Sequence, residues 1–246
     1  MNKLRDIKSF AIVLASGSGT RFGSAQCPKH LIKIKNIPTI IWILNSLLNS
    51  GAFNKIVVVT KESNLLDTNE IISKYFDIKK LDLLSTTGGN ERIESFFNGV
   101  SKIRDETEIC ADDIIALVDS NRPLTCVEQI IELNKLANKH GCSCPARTVV
   151  NGIAKIKSSE IIEVPHKEDY VEFVTPEFIK FKILEKSKEK SKIFKSLVEY
   201  SLNMSINPVY TNSSELDSKL TYPEDLSFLE ALVNKHKVIG PKRKND

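Results

Sequence analysis

Short runs of β-branched and aliphatic residues alternate with amphipathic stretches through the first half of the chain. This alternation predicts an α/β fold with a Rossmann-like, mostly parallel sheet, because parallel strands are buried on both faces and are joined by crossover helices. The predicted strands span residues 10–14, 55–60, 81–85 and 114–118. The predicted helices, with apolar residues at helical spacing, span residues 39–49, 69–76, 92–103 and 126–138.

The pattern changes after Gly141. Residues 146–156 and 160–164 have the composition of two strands, and Ser158 lies between them, which predicts a hairpin. We expect this hairpin to belong to an arm, residues 146–174, that projects from the main sheet. All 246 residues are expected to form one domain that carries the arm.

The remaining third of the chain returns to mixed α/β character. A β-run at 171–174 precedes Thr175 and Pro176, and proline in a first helical turn predicts a helix over 178–194. A short strand near 208–210 and a helix over 226–235 complete the predicted elements.

Composition and charge narrow the class of protein. A hydrophobic content of 41% and a charged content of 27% are those of a folded domain. No apolar run reaches the length of about 18 residues that a membrane span needs, and the first ten residues lack the apolar core of a signal peptide, so we expect a cytoplasmic protein without membrane partners. The net charge is +4, and no basic cluster is interleaved with aromatic residues, which argues against nucleic-acid binding.

A glycine-bearing turn follows the first predicted strand and ends on two cations, Arg21 and Lys29. Its small residues let the backbone approach an anion and aim N–H groups at it. The spacing is neither that of a Walker A motif nor that of a GxGxxG turn. The turn predicts a site for a nucleoside triphosphate, with a plain connection as the alternative. Its candidate contacts are Ala15, Ser16, Gly17 and Gly19.

Three more segments lie where strands of a parallel sheet end or where the chain returns to that edge, the usual position of a ligand crevice. The first is Gly88–Gly89–Asn90 with Ser95, which opens a helix; the second is Asp119 to Pro123; the third is Asp217 to Thr221. An Asp after a strand is by itself typical of a cap or turn. Together, however, the two carboxylates predict an Mg²⁺ site that is completed by substrate phosphates.

These segments resemble the motifs of a cytidylyltransferase family, the one that includes 2-C-methyl-D-erythritol 4-phosphate cytidylyltransferase and ribitol-5-phosphate cytidylyltransferase. The motif Leu-Ala-Ala-Gly-x-Gly-x-Arg-x-Gly followed by Pro-Lys appears as LASGSGTRFG and CPK. Gly-Gly-x-x-Arg-x-x-Ser appears as GGNERIES, Asp-x-x-Arg-Pro as DSNRP, and Thr-Pro-Gln as TPE. The last motif, Lys-x-Thr-x-Pro-Glu-Asp-Leu, appears as KLTYPEDL. The motifs keep the family's order over residues 11–226.

The resemblance implies a GT-A-like nucleotidyltransferase that transfers CMP from CTP to a small phosphate ester and releases diphosphate. It assigns charge stabilisation to Arg21, Lys29 and Lys219. It places Gly88, Gly89, Asn90 and Ser95 around the cytosine and ribose, with Ser120 as a further nucleotide contact. It gives Asp119 and Asp217 to Mg²⁺, and Asp119, Arg122 and Lys167 to the acceptor.

The sequence departs from the family pattern on the acceptor side. Where the erythritol enzymes carry Arg-Asp-Thr and an arginine on the arm, we find Val150–Asn151–Gly152 and Lys167. Lysine does not reproduce the bidentate grip of arginine on phosphate. We therefore expect another acceptor, a polyol phosphate or a phosphorylated amino acid such as phosphoglutamine, in a pathway to capsule or another surface polysaccharide. The alternatives are 2-C-methyl-D-erythritol 4-phosphate and a catalytically weak nucleotide-binding regulator.

The same resemblance implies that the arm mediates a homodimer and completes the partner's acceptor site, with Lys167 acting across the interface.

Overall fold

The computed structural model describes residues 5–17, 28–185 and 194–244. Its strands are β1 (Ser9–Leu14), β2 (Lys33–Ile34), β3 (Ile37–Pro38), β4 (Lys55–Thr60), β5 (Leu83–Thr87), β6 (Ile114–Asp119), β7 (Cys142–Thr148), β8 (Lys155–Lys157), β9 (Glu160–Glu163), β10 (Val171–Phe173), β11 (Glu177–Lys180) and β12 (Val209–Asn212). Its α-helices are α1 (Thr39–Asn49), α2 (Leu65–Ser73), α3 (Arg92–Glu106), α4 (Val127–His140), α5 (Phe181–Glu185), α6 (Leu197–Asn203) and α7 (Glu224–Lys235). None of these helices is both long and apolar enough to span a membrane.

An eight-stranded sheet forms the centre of the molecule, and its middle strands are parallel, as predicted. Strand β1 pairs in parallel with β4 on one side and β6 on the other, and β5 extends the sheet beyond β4. Strand β11 runs antiparallel between β6 and β7. Strand β7 pairs with β11 and β10 along one edge and in parallel with β12 along the other.

Side chains on successive residues of β1 enter two different hydrophobic cores. Ala11 and Val13 pack against α1 and α4, whereas Phe10, Ile12 and Leu14 pack against α3 and α6. This period of two follows from the pleat of a strand, and burial on both faces requires every residue of the strand to be apolar or small. The two cores fix the sheet between its helices, so the loops at its carboxyl edge are held on a rigid base.

The helix predicted over 178–194 is wrong at its start, over residues 178–180. Residues Glu177–Lys180 form β11, and residues Phe181–Glu185, which end this described segment, form a short helix. Phe178 packs in one core and Ile179 in the other, so this short apolar run is a strand buried on both faces. Periodicity does not distinguish such a strand from a buried helix segment. Pro176 accordingly precedes a strand and does not begin a helix.

The predicted arm is present, with a different first strand. Residues 146–148 belong to β7 in the main sheet, and the hairpin consists of the short strands β8 and β9. At the turn, Ser158 adopts the left-handed conformation, with a φ of 50°, which is uncommon for a residue other than glycine. Both strands of the hairpin are exposed to solvent, so it makes no contribution to either core.

Two smaller boundary predictions also shift. Strand β5 begins at Leu83 because Asp82, with φ 49°, breaks the extended backbone before it. Helix α2 spans Leu65–Ser73, four residues earlier than the predicted start.

Candidate functional site

A cleft of about 660 Å³ opens at the carboxyl ends of β1, β4, β5 and β6. It brings together the residues of three separately predicted segments and Lys219 from a fourth. The polar and small residues that line it include Ala15, Ser16, Gly17, Lys29, Gly88, Gly89, Asn90, Arg92, Ser95, Asp119, Ser120 and Lys219. The position agrees with the general rule for open parallel sheets.

The turn after β1 forms one wall of the cleft. The Ala15 N–H donates to the Val59 carbonyl at 2.7 Å, which extends the β1–β4 pairing by one residue. Ser16 and Gly17 follow and also line the cleft. Gly19 and Arg21, which we predicted in the same turn, lie outside the described residues.

Lys29 is fixed at the far end of this turn. Its Nζ donates to the Thr221 carbonyl at 2.7 Å, and its own carbonyl accepts from Thr39 Oγ1 at 3.0 Å. The neighbouring His30 is buried and shares a 2.9 Å hydrogen bond between its Nε2 and Thr68 Oγ1. Burial lowers the pKa of His30 to about 4, against a raising effect from its hydrogen bond to the Ala15 backbone. His30 is therefore neutral at physiological pH and supports the cleft floor.

The glycine turn before α3 forms the opposite wall. The hydroxyls of Ser16 and Ser95 share a 3.0 Å hydrogen bond, and the Gly89 N–H donates to Ser95 Oγ at 3.1 Å. Glycine at position 88 is required by this close approach, since a Cβ there would lie 2.7 Å from Ser95 Oγ and 2.8 Å from Ser16 Cβ. The two predicted motifs thus form one continuous surface.

The side chain of Asp119 lies between two cations at the base of the cleft. Its Oδ1 accepts from Arg92 Nη2 at 3.0 Å and its Oδ2 from Lys219 Nζ at 2.9 Å. Burial alone would raise the pKa of Asp119, but the charges and hydrogen bonds of Arg92 and Lys219 hold it well below its usual range. Asp119 is consequently ionised throughout the physiological range. Sequence reasoning missed Arg92, although the GGNERIES motif contains it.

Arg122 and Asp217 meet beside the cleft and not among its lining residues. The Arg122 Nη1 donates to the Asp217 carbonyl at 2.6 Å, and Arg147 Nη2 donates to the same oxygen at 3.2 Å. The Asp217 carboxylate caps a turn, since its Oδ2 accepts from Ser213 Oγ at 3.0 Å and from the Ser214 N–H at 3.2 Å. Arg147 was also missed by the sequence reasoning. Its signal was a basic residue near the end of a strand.

Lys167 lies on the arm. Its Nζ donates to the Val150 carbonyl at 2.9 Å, a contact within the arm itself. The structure therefore does not bring Lys167 into the cleft of its own chain.

The donors for a divalent cation are few. Among residues 5–17, 28–185 and 194–244, no group of three His, Cys, Asp or Glu side chains has the arrangement of a metal site. Asp119 supplies one carboxylate at the cleft, and Asp217 is engaged in its turn. An Mg²⁺ ion at the cleft would share Asp119 with Arg92 and Lys219 and would take most of its ligands from substrate phosphates and water.

The parallel sheet and the cationic, glycine-lined cleft at its carboxyl edge define the class of protein as a nucleotidyltransferase. The family model described as IspD, 2-C-methyl-D-erythritol 4-phosphate cytidylyltransferase, matches residues 9–235. The chain belongs to this cytidylyltransferase family, which confirms the family, fold class and enzyme class expected from the motifs.

Curated relatives and solved structures agree with this assignment. The 2-C-methyl-D-erythritol 4-phosphate cytidylyltransferase of Clostridium botulinum strain Loch Maree is 28% identical over 234 residues, covering 93% of this chain and 98% of that protein. The crystal structure of 4-diphosphocytidyl-2C-methyl-D-erythritol synthase from Anaerococcus prevotii has a TM-score of 0.76 at 15% identity, covering 93% of this chain and 96% of that chain. The Francisella tularensis enzyme (IspD) has a TM-score of 0.72 at 20% identity, covering 90% and 97%. At these identities the structures show a shared fold.

Proposed function

We propose that this protein transfers CMP from CTP to 2-C-methyl-D-erythritol 4-phosphate and releases diphosphate. The observation that carries the proposal is the cleft in which two small-residue turns face the Arg92–Asp119–Lys219 ion pairs. Membership of the family supports 2-C-methyl-D-erythritol 4-phosphate as the acceptor, which the sequence analysis gives as an alternative. The expected surface-polysaccharide acceptor finds no support in the comparisons. The proposal treats all 246 residues as one cytoplasmic domain with its arm.

The reaction needs positioning and charge stabilisation more than acid–base chemistry. A phosphate oxygen of the acceptor forms a bond to the α-phosphorus of CTP, while the bond from that phosphorus to the bridging oxygen breaks and the electron pair leaves with diphosphate. Lys29 and Lys219 offset the negative charge that builds on the phosphates, and Arg21 is assigned the same role. Bound Mg²⁺ supplies further charge neutralisation, and Asp119 is the residue that would hold it.

The base is recognised by the turn that contains Gly88, Gly89 and Asn90. A Cβ at either glycine would come within 3 Å of a neighbouring side chain, so the backbone there is tightly packed and the space for a base is limited. The N–H groups of Gly88, Gly89 and Asn90 are hydrogen-bonded within the protein, so we assign the directional contacts with the base to the Asn90 side chain and to the carbonyl groups of the turn. We assign cytosine selection to this turn, with Ala15, Ser16, Gly17, Gly19 and Ser120 as further nucleotide contacts.

The acceptor phosphate is assigned to the side of the cleft where Asp119 lies, next to Arg122. Arg122 and Arg147 converge on one backbone oxygen, so two guanidinium groups lie close together there. Guanidinium groups suit phosphate recognition because their donors form a planar fork.

A second acceptor class is favoured by one specific observation. Lys167, which replaces the arm arginine of the family pattern, is bonded to Val150 within its own arm. A lysine in place of that arginine suits an acceptor with a less demanding phosphate contact, such as another polyol phosphate or a phosphorylated amino acid.

A panel of acceptors separates the two possibilities. Diphosphate release is followed with CTP and 2-C-methyl-D-erythritol 4-phosphate, ribitol 5-phosphate, glycerol phosphate or a phosphorylated amino acid. We expect the highest kcat/KM with the erythritol phosphate. A preference of about tenfold or more for another acceptor, equivalent to about 1.4 kcal/mol, would establish the second class instead.

We further propose that the arm pairs with the arm of a second copy of this chain. It exposes Ile156, Ile161, Ile162, Val164 and Phe173, of which Val164 is 72% exposed. Contiguous exposed apolar groups mark interaction surfaces. Lys167 would then lie near the partner's acceptor site.

A further inference from the structure

A buried carboxylate stands behind the cleft. Glu177 begins β11 opposite Leu117 of β6 and is only 2% exposed. Its Oε2 accepts from the Val198 N–H at 3.0 Å, and its Oε1 lies 3.6 Å from Arg92 Nη2. Glu177 therefore joins the first turn of α6 to the guanidinium of Arg92.

Arg92 connects this carboxylate to the cleft. The same Nη2 that faces Glu177 donates to Asp119 Oδ1 at 3.0 Å, and Nη1 donates to the Lys195 carbonyl at 2.8 Å. Lys219 binds the other oxygen of Asp119. The four side chains form a row of alternating charge, of which Arg92, Asp119 and Lys219 line the cleft and Glu177 is the buried end.

The protonation of Glu177 decides the net charge of this row. With Glu177 ionised, the two anions and two cations cancel, and with Glu177 neutral one positive charge remains. Burial raises the pKa of Glu177 to about 7, and the nearby charge of Asp119 acts in the same direction. Arg92 and the backbone N–H groups of Leu197 and Val198 oppose this rise.

Two cysteines of strand β7 lie near Glu177. The thiols of Cys142 and Cys144 face Glu177 from that strand, and burial raises the pKa of each to about 12. Both thiols are therefore neutral when Glu177 changes its protonation state.

We propose that Glu177 is a positioning residue for nucleotide binding: it holds Arg92 against Asp119 and, through its own charge, sets how strongly Arg92 attracts the anionic substrate. Ionised Glu177 offsets the guanidinium charge, and neutral Glu177 leaves that charge to the triphosphate. The inference rests on the proposed function, because it takes CTP as the ligand of the cleft.

The test is the Kd of CTP, measured by calorimetry without acceptor, for the wild type and Glu177→Gln. Glutamine has the same shape and its carbonyl still accepts from Val198, so the fold is retained. At about pH 8.5, where Glu177 is ionised, we expect Glu177→Gln to bind CTP about three- to fivefold more tightly than the wild type does. This is the size of effect expected from one charge at medium range. Near about pH 5.5 the two Kd values should converge. Ionisation of CTP itself affects both proteins equally and cancels in the ratio.

Two further variants keep the test decisive. Glu177→Asp retains the ionisable group, so its affinity should weaken with rising pH as in the wild type even if Glu177→Gln folds poorly. Asp113→Asn removes an equally buried carboxylate at the opposite end of β6 and should leave the Kd ratio at one.

Three outcomes are distinguishable. A Kd ratio that falls to one as Glu177 becomes protonated supports the proposal. A ratio of one at every pH, or a constant ratio other than one, overturns it, because a purely structural change does not follow the titration of Glu177. If the wild type binds no CTP at any pH, the proposed function fails, and this inference fails with it.

Discussion

Asp119 keeps its charge at the base of the cleft in spite of burial, because Arg92 and Lys219 each bond one of its oxygens. A buried carboxylate that loses one of two cationic partners is left with uncompensated charge. At the residue scale, the site therefore depends on these ion pairs as a unit. Lys219, which lines the cleft, also supplies positive charge of the kind that the proposed reaction requires.

Lys219→Ala is expected to lower kcat by about 10²–10³-fold, the usual cost of removing one charged group that stabilises a transition state. Steady-state diphosphate release with CTP and acceptor measures this loss. Lys235→Ala is the matched control, since Lys235 pairs with Glu215 at the surface. Equal kcat values for the two variants would remove Lys219 from the proposed machinery.

Gly88→Ala is expected to raise the KM for CTP by about tenfold or more and to lower the melting temperature, because the added Cβ displaces Ser95 and Ser16 from their shared hydrogen bond. Gly152→Ala serves as the control, as no atom lies within 4 Å of the position of its added Cβ. Saturation kinetics and thermal unfolding report the two effects. An unchanged KM for Gly88→Ala contradicts the assignment of this turn to the nucleotide.

At the scale of elements, β11 is the strand that the sequence analysis did not predict. It fills the space between β6 and β7 and carries Glu177 to the back of the cleft. Phe178 is fully buried in the core and stacks on Phe53 with ring centroids 6.0 Å apart. The strand therefore stabilises the main sheet and supports the site.

Phe178→Ala should lower the free energy of unfolding by about 3–5 kcal/mol, the usual cost of truncating a buried phenylalanine. Urea denaturation measures this change. Phe228→Ala removes the same atoms from a side chain in α7 that is 54% exposed and should cost far less. A similar loss for both would mean that β11 is not a core strand.

Sequence reasoning succeeded where a local pattern carries the structure. Strands β1, β4 and β6 and the two small-residue turns follow from apolar runs and glycines that are adjacent in the chain. The ion pairs joining Arg92 to Asp119, 27 residues apart, and the contact of Arg147 with Asp217, 70 residues apart, depend on how elements pack. Only the folded sheet brings those residues together, so the missed site residues are all of this kind.

At the scale of the whole molecule, the arm carries a solvent-exposed hairpin, β8 and β9, in which isoleucines lie among lysines and glutamates. Ile161→Lys is expected to convert a dimer into monomers, because a charge placed in an apolar interface is costly to desolvate. Analytical ultracentrifugation measures the mass. Leu66→Lys is a control at an exposed leucine of α2, 81% exposed, and should leave the mass unchanged. A wild-type monomer at every concentration would contradict arm-mediated pairing.

The cleft is proposed to transfer CMP from CTP. Phosphorus NMR of the protein with CTP, Mg²⁺ and 2-C-methyl-D-erythritol 4-phosphate tests it most directly, because the product's diphosphate linkage and free diphosphate have distinct resonances. We expect both to appear in equal amounts with CTP, and neither to appear with ATP or GTP in its place. Unchanged CTP and acceptor after prolonged incubation with folded protein, with this acceptor and with every other member of the panel, would contradict it.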